Sequence, residues 1–161
     1  MDGVGALVPV AIALGSNLGD RAALLRSALG ALAPLVGDLR VSSYHATAPV
    51  GVGDQPEFLN AAAVGRTSLS PDELLASLLD IERRFGRERP YAGAPRTLDL
   101  DLILYGERVI DTPSLVVPHP RFRERRFVLD PLAEIAADWR DPVTGRTVAE
   151  LLQALAGDRV L

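Results

Sequence analysis

Hydrophobic patterning along the 161 residues predicts an α+β fold, with a βαββαβ core around an antiparallel sheet and a C-terminal extension of short helices. Three observations predict it. Two helix-period stretches alternate with four strand-like runs in the order β-α-β-β-α-β. Clusters of Gly, Pro, Asn and Asp separate them. Ser, Thr and Asp stand where helices need N-caps. This order is the split βαβ, or ferredoxin-like, arrangement, whose helices are expected on one face of the sheet.

Residues 8–14 form a short apolar run rich in Val and Ile, a buried strand that ends at the turn Gly15-Ser16-Asn17-Leu18-Gly19. Asp20 then caps a helix in which Leu24, Leu25, Ala28, Leu29 and Leu32 recur at helical spacing before Pro34 and Gly37 stop it. Residues 39–46 and 58–67 read as strands, and the Pro- and Gly-rich residues 49–56 between them are too long for a tight hairpin. Ser70-Pro71-Asp72-Glu73 supplies an N-cap, a proline at the first helical position and a capping-box Glu, so a helix runs from there to about Phe85. A polar loop over 87–97 leads to strand alternation over 98–105. Residues 108–110 are expected to fold back as a hairpin, and 127–137 and 148–155 as helices, the last capped by Thr147 with Glu150. A single domain over 1–161 is expected.

Composition excludes several chemistries. All 17 cations are Arg. Without Lys there is no P-loop lysine and no Schiff base, and without Cys there is no disulfide, thiolate metal site or Cys nucleophile. His45 and His119 are too few for a His-rich metal centre. The apolar run over 6–14 is about half of the ~20 residues a spanning helix needs, so no membrane association and cytoplasmic residence are expected. The net charge of −4 argues against nucleic acid as a partner. Yet residues 83–126 hold 10 Arg against 6 acids, while the rest holds 7 Arg against 15 acids. The cations are concentrated around one segment.

That segment contains Leu98-Asp99-Leu100-Asp101-Leu102, in which period-2 alternation puts both carboxylates on one face and three Leu on the other. Asp is a poor strand former, and two carboxylates facing the same way repel unless neutralised. Oxygen-only ligands favour Mg²⁺ completed by substrate phosphates, although the pair alone also fits a solvated sheet face. Arg87, Arg89 and Arg96 precede it, and guanidinium groups bind phosphate oxygens bidentately. Taken singly, each of these arginines fits a solvated loop better. His119 is flanked by Pro118 and Pro120, which fix its backbone, and fits a ligand or a surface turn alike; Arg121, Arg123, Arg125 and Arg126 follow, suited to the same phosphates or to a solvated helix face. In Phe58-Leu59-Asn60, alternation places an aromatic and an amide on one side, suited to a fused heterocycle, or to a core Phe and a strand-end Asn.

Four blocks in this order, Ala13-Leu14-Gly15-Ser16-Asn17-Leu18-Gly19, Asp54-Gln55-Pro56 with Phe58-Leu59-Asn60, Pro95-Arg96-Thr97-Leu98-Asp99-Leu100-Asp101, and Val117-Pro118-His119-Pro120, span nearly the whole chain. Together they resemble the 6-hydroxymethyl-7,8-dihydropterin pyrophosphokinases of folate biosynthesis. The resemblance implies transfer of pyrophosphate from Mg-ATP to the pterin hydroxymethyl group with release of AMP. It implies two Mg²⁺ on Asp99 and Asp101, and Arg87, Arg89 and Arg96 gripping the triphosphate from a loop that closes over it. His119 and Arg125 would assist at the phosphates, Glu82 would lie on the nucleotide side, and Leu75 and Leu102 would border the adenine. Phe58 and Phe127 would sandwich the pterin, Asn60 would read its polar edge, and Thr47, Ala48 and Val50 would line its pocket. A monomer is the default. A Mg²⁺-dependent nucleotidyl transferase or cyclase and a noncatalytic nucleotide-binding module are the competing expectations.

Overall fold

The computed structural model describes residues 6–17, 20–47, 58–85 and 98–158. Strands β1 (Val8–Ser16), β2 (Gly37–Val41), β3 (His45–Thr47), β4 (Phe58–Thr67) and β5 (Asp99–Tyr105) form one antiparallel sheet in the order β2-β4-β1-β5, with β3 pairing β4. Helices α1 (Arg21–Leu32) and α2 (Pro71–Phe85) are inserted after β1 and β4. The predicted βαββαβ order therefore holds, and its caps are the ones read from the sequence. Asp20 accepts from the Ala23 N–H at 3.1 Å. Ser70 and Glu73 exchange both capping-box bonds, as do Thr147 and Glu150 at the start of α4 (Val148–Asp158).

Leu25, Ala28 and Leu32 of α1 and Leu74, Leu78 and Ile81 of α2 recur every three or four residues, so each helix turns one stripe onto the sheet. They meet Val10, Ile12, Leu14, Ala61, Ala63, Leu100 and Leu102.

The two core helices cover one face as expected, and the C-terminal extension covers the other. On the other face Ala11, Ala62, Val64, Ile103 and Leu104 are also buried, under α3 (Arg126–Ala136) and α4, which supply Val128, Leu129, Leu132, Ala136, Val148 and Leu151. The physical reason lies in β1 and β4 themselves. Residues 10–14 and 61–64 are apolar without alternation, so both sides of these strands demand cover.

Two further differences are local. The strand predicted over 39–46 is broken at Ser42, whose hydroxyl takes over from a backbone carbonyl and accepts from the Ala62 N–H at 2.9 Å. The segment expected to fold back at 108–110 pairs forward instead, β6 (Ile110–Asp111) against β7 (Val116–Val117). Thr112 closes that turn, its hydroxyl donating to the Leu115 carbonyl and accepting from the Leu115 N–H, each at 3.1 Å. Beyond β7 the chain makes a 3-10 turn, Phe122–Glu124, and enters α3.

Candidate active site

β5 is an edge strand, and its outer backbone groups are met by side chain and loop rather than by another long strand. Glu82 of α2, only 3% exposed, accepts from the Leu100 N–H at 2.7 Å through Oε2. The His119 N–H donates to the Ile103 carbonyl at 3.1 Å. Between these ties Leu98, Leu100 and Leu102 face the α1 and α2 core, so Asp99 and Asp101, both half-buried, point to the opposite face. Pairing across the sheet then sets the neighbours of Asp99. Gly15 of β1 lies opposite Asp99 on one side and opposite Asn60 of β4 on the other, and Asn60 lies opposite His45 of β3. One row thus runs His45, Asn60, Gly15, Asp99, with a glycine in the gap between amide and carboxylate.

Asn60 is 5% exposed, and its Nδ2 donates to Thr47 Oγ1 at 2.8 Å. Phe58 pairs with Thr47 in the next row. Phe127, in the first turn of α3, is 41% exposed, which is unusual for a phenyl ring packed beside a core. Beneath this corner α3 is tied to β3 by Glu134, which accepts from the Ser43 N–H and hydroxyl at 2.8 Å and contacts His45 Nε2.

His119 is held on both sides. The Arg121 N–H donates to its Nδ1 at 3.2 Å, so the neutral ring carries its proton on Nε2. Burial holds the imidazole below its ordinary pKa; Arg125 and Arg121 push it the same way, and Asp101 opposes them. At neutral pH His119 is therefore an uncharged Nε2–H donor in the free protein. That leaves the cationic work to arginine.

The pieces converge on one cleft of about 640 Å³, lined by Ala13, Leu14 and Gly15, Thr47, Phe58 and Asn60, Asp99 and Asp101, Arg121, and the run Glu124 to Val128. It therefore brings an amide and two phenyl rings into one cavity with two carboxylates and several arginines. A family model for 7,8-dihydro-6-hydroxymethylpterin-pyrophosphokinase matches residues 11–137. The chain belongs to this family. It is 51% identical over 126 residues to a 2-amino-4-hydroxy-6-hydroxymethyldihydropteridine pyrophosphokinase of Bacillus subtilis, covering 77% of this chain and 75% of that one. A protein of the same name from Pseudomonas aeruginosa is 44% identical over 147 residues, with 90% of each chain covered. Among solved structures, the wild-type HPPK-DHPS of Plasmodium falciparum matches with a TM-score of 0.75 at 12% identity, over 94% of this chain. The chain spans 45% of that longer protein, and the likeness carries the fold alone.

Of the positions to which the family resemblance assigns roles, the cleft gathers Asp99, Asp101, Arg125, Thr47, Phe58, Asn60 and Phe127. His119 is not among the lining residues and is joined to Arg121, which is, through the Arg121 N–H. Leu75 and Leu102 pack in the core under α1 and α2, which Leu14 of the cleft also joins, and Glu82 is buried at the end of α2. Glu82 acts there on β5 through the Leu100 N–H. Arg87, Arg89, Arg96, Ala48 and Val50, with the loop expected to close over the triphosphate, lie outside the described residues. The family roles did not include Gly15, Ala13, Arg121, Glu124, Arg126 or Val128. The alanine and glycine stand in the first of the four family blocks, but an absent side chain gains a role only beside Asn60 and Asp99. For Arg121 and Arg126 the signal was the arginine cluster itself.

Proposed function

We propose that this chain transfers the pyrophosphoryl group of Mg-ATP to the hydroxymethyl group of 6-hydroxymethyl-7,8-dihydropterin and releases AMP, as a step of folate biosynthesis. The observation that carries the reading is the single cleft that gathers Asn60, Phe58 and Phe127 with Asp99, Asp101 and the arginines, Asn60 standing across Gly15 from Asp99. The first group suits a flat heterocycle with polar edges, and the second suits a polyphosphate.

In this reading Phe58 and Phe127 hold the pterin ring between them, and Asn60, oriented by Thr47, reads its edge. The substrate hydroxyl oxygen attacks the β-phosphorus in line. The bond to the oxygen bridging the α and β phosphorus breaks, AMP departs with that electron pair, and the hydroxyl proton passes to solvent. Arg121, Arg125 and the Nε2–H of His119 stabilise charge gathering on the phosphate oxygens. Arg87, Arg89 and Arg96 join them by the family resemblance and precede β5 in the chain. Such catalysis is mainly positioning and electrostatics, so no side-chain base is required.

Magnesium fits the donor set. Asp99 and Asp101 present hard carboxylate oxygens on one face, and among the described residues no group of three or more His, Cys, Asp or Glu side chains forms a closed cage. A hard cation held by one or two carboxylates, completed by water and substrate phosphates, suits such a pair. Two ions are proposed, held by Asp99 and Asp101. Bound there, magnesium would neutralise phosphate charge and align the triphosphate. A monomer is proposed as the default assembly. The demand for ATP supports a cytoplasmic enzyme.

The test is product analysis. Purified protein with Mg²⁺, the pterin alcohol and ATP labelled on the γ-phosphate should yield unlabelled AMP and a labelled pterin diphosphate. ADP as product would mean single phosphoryl transfer, and labelled free pyrophosphate would mean nucleotidyl transfer. Either result overturns the reading.

A further inference from the structure

Four arginines lie between His119 and Phe127, and their partners divide them. Arg126 pairs with Asp130 one turn along α3, at 3.3 Å. Arg123 reaches the opposite way, into the connection between α3 and α4, where its Nε and Nη2 donate to the two oxygens of Asp141, the second at 2.9 Å. Asp141 is 0% exposed, and it accepts in addition from the Val143 N–H at 3.0 Å and the Thr144 hydroxyl at 2.7 Å. Its backbone is fixed as well: its N–H donates to the Arg146 carbonyl at 2.9 Å and its carbonyl accepts from the Gly145 N–H at 2.8 Å. Burial opposes the charge on Asp141, yet the donors from Arg123, Thr144 and Val143 prevail and hold its pKa below the usual carboxylate range.

Phe122, beside Arg123, is fully buried among Val128, Leu129, Leu132, Val148 and Leu151, and the Arg123 guanidinium lies 5.0 Å over its ring. Two consecutive residues of the turn are thus anchored away from the substrate cavity. Their neighbours Arg121, Glu124 and Arg125 line the cleft with Asp99 and Asp101. No carboxylate among the described residues pairs with Arg121 or Arg125.

We propose that the buried Arg123–Asp141 pair is a positioning device for the nucleotide: it pins the Phe122–Glu124 turn to the α3–α4 connection, and so presents Arg121 to the ATP phosphates as a contact additional to Arg125. The proposal rests on the pyrophosphokinase reading. A two-pronged guanidinium–carboxylate contact fixes direction as well as distance. Misplacing a phosphate-binding group by about 1 Å lowers rates by about 100-fold.

The test uses the whole chain with Arg121→Ala, Asp141→Asn, the double variant Arg121→Ala/Asp141→Asn, and Arg123→Lys, which keeps the charge and loses the fork. Steady-state kcat and KM for both substrates are measured beside the Kd of Mg-α,β-methylene-ATP by calorimetry. Arg121→Ala and Asp141→Asn should each raise that Kd and the KM for Mg-ATP about 10-fold, with the pterin KM changed less than about 2-fold. In the double variant the losses should fall well short of additive, because Asp141 acts through Arg121. Arg123→Lys should show the same split in weaker form, and it carries the test if Asp141→Asn does not fold. Unchanged nucleotide constants in Asp141→Asn or Arg123→Lys, with only the thermal midpoint lowered, overturn the proposal, and so do fully additive losses. If the wild type releases no AMP, the pyrophosphokinase reading falls and this inference with it. If the wild type is active and the variants bind nucleotide normally, only the positioning role falls.

Discussion

At Gly15 a side chain would intrude on the substrate cavity: a Cβ there would stand 3.1 Å from Asn60 Oδ1. Gly15→Ala should therefore displace the amide that reads the pterin edge, raising the pterin KM about 10-fold while the KM for Mg-ATP stays within about 2-fold. Equal changes in both constants would show a general distortion of β1. Asp101 lies one row along, opposite Ala13, with charge rather than space as its contribution. Asp101→Asn keeps the volume and removes the charge, so AMP release should fall by about 100-fold or more at an unaltered thermal midpoint. Near-normal release would remove Asp101 from the metal site. His119 contributes a donor in a fixed tautomer, and that follows from one backbone bond, the Arg121 N–H to Nδ1.

Elements matter here through what they hold in place. α2 is fastened at its start by the Ser70 and Glu73 capping box, and near its end it delivers Glu82 to β5. Ser70→Ala should cost about 1 kcal/mol, lowering the thermal midpoint by about 2–4 °C with kcat and both KM values intact, because the cap is remote from the cleft. A change in kcat would mean that the helix end transmits strain to β5. Caps of this kind were legible in the sequence, since each depends on residues three apart. The break at Ser42 was not legible. A serine hydroxyl replaces a backbone acceptor there only once β4 brings the Ala62 N–H alongside.

Across the whole molecule, two apolar cores sandwich one sheet, and the cleft opens at the sheet's end on the α3 face. The Arg123–Asp141 pair ties the arginine turn to the second core, so its protonation bears on the entire α3 and α4 layer. The native pKa of Asp141 lies below its ordinary 3.8, so the native state binds this proton less readily than the unfolded chain does. Its contribution is complete above that ordinary value and is lost as the pH falls through the native one. The stability gap between wild type and Asp141→Asn should accordingly be constant from about pH 7 to pH 5 and narrow below about pH 4, as read by urea unfolding at each pH. A gap that widens on acidification would contradict the assignment. Phe122→Ala, which empties the same core, should cost about 3–5 kcal/mol at any of these pH values.

The sequence by itself determined the order of the βαββαβ core, its helix caps, the facing of Asp99 and Asp101, and the restriction of phosphate chemistry to arginine and oxygen ligands. These follow from local periodicity and composition, which act within a few residues. Tertiary structure decided what depends on register and packing between distant segments. It set Gly15 between Asn60 and Asp99, and it decided that the C-terminal helices are what cover the second apolar face of β1 and β4. It also turned Arg123 away from the cleft into an ion pair with Asp141, and left Arg121, Arg125 and Arg126 to line the cleft, Arg126 with Asp130 as its partner. An arginine's role depends on which carboxylate the fold brings within reach, and Asp141, eighteen residues beyond Arg123, comes within reach only when α3 has packed.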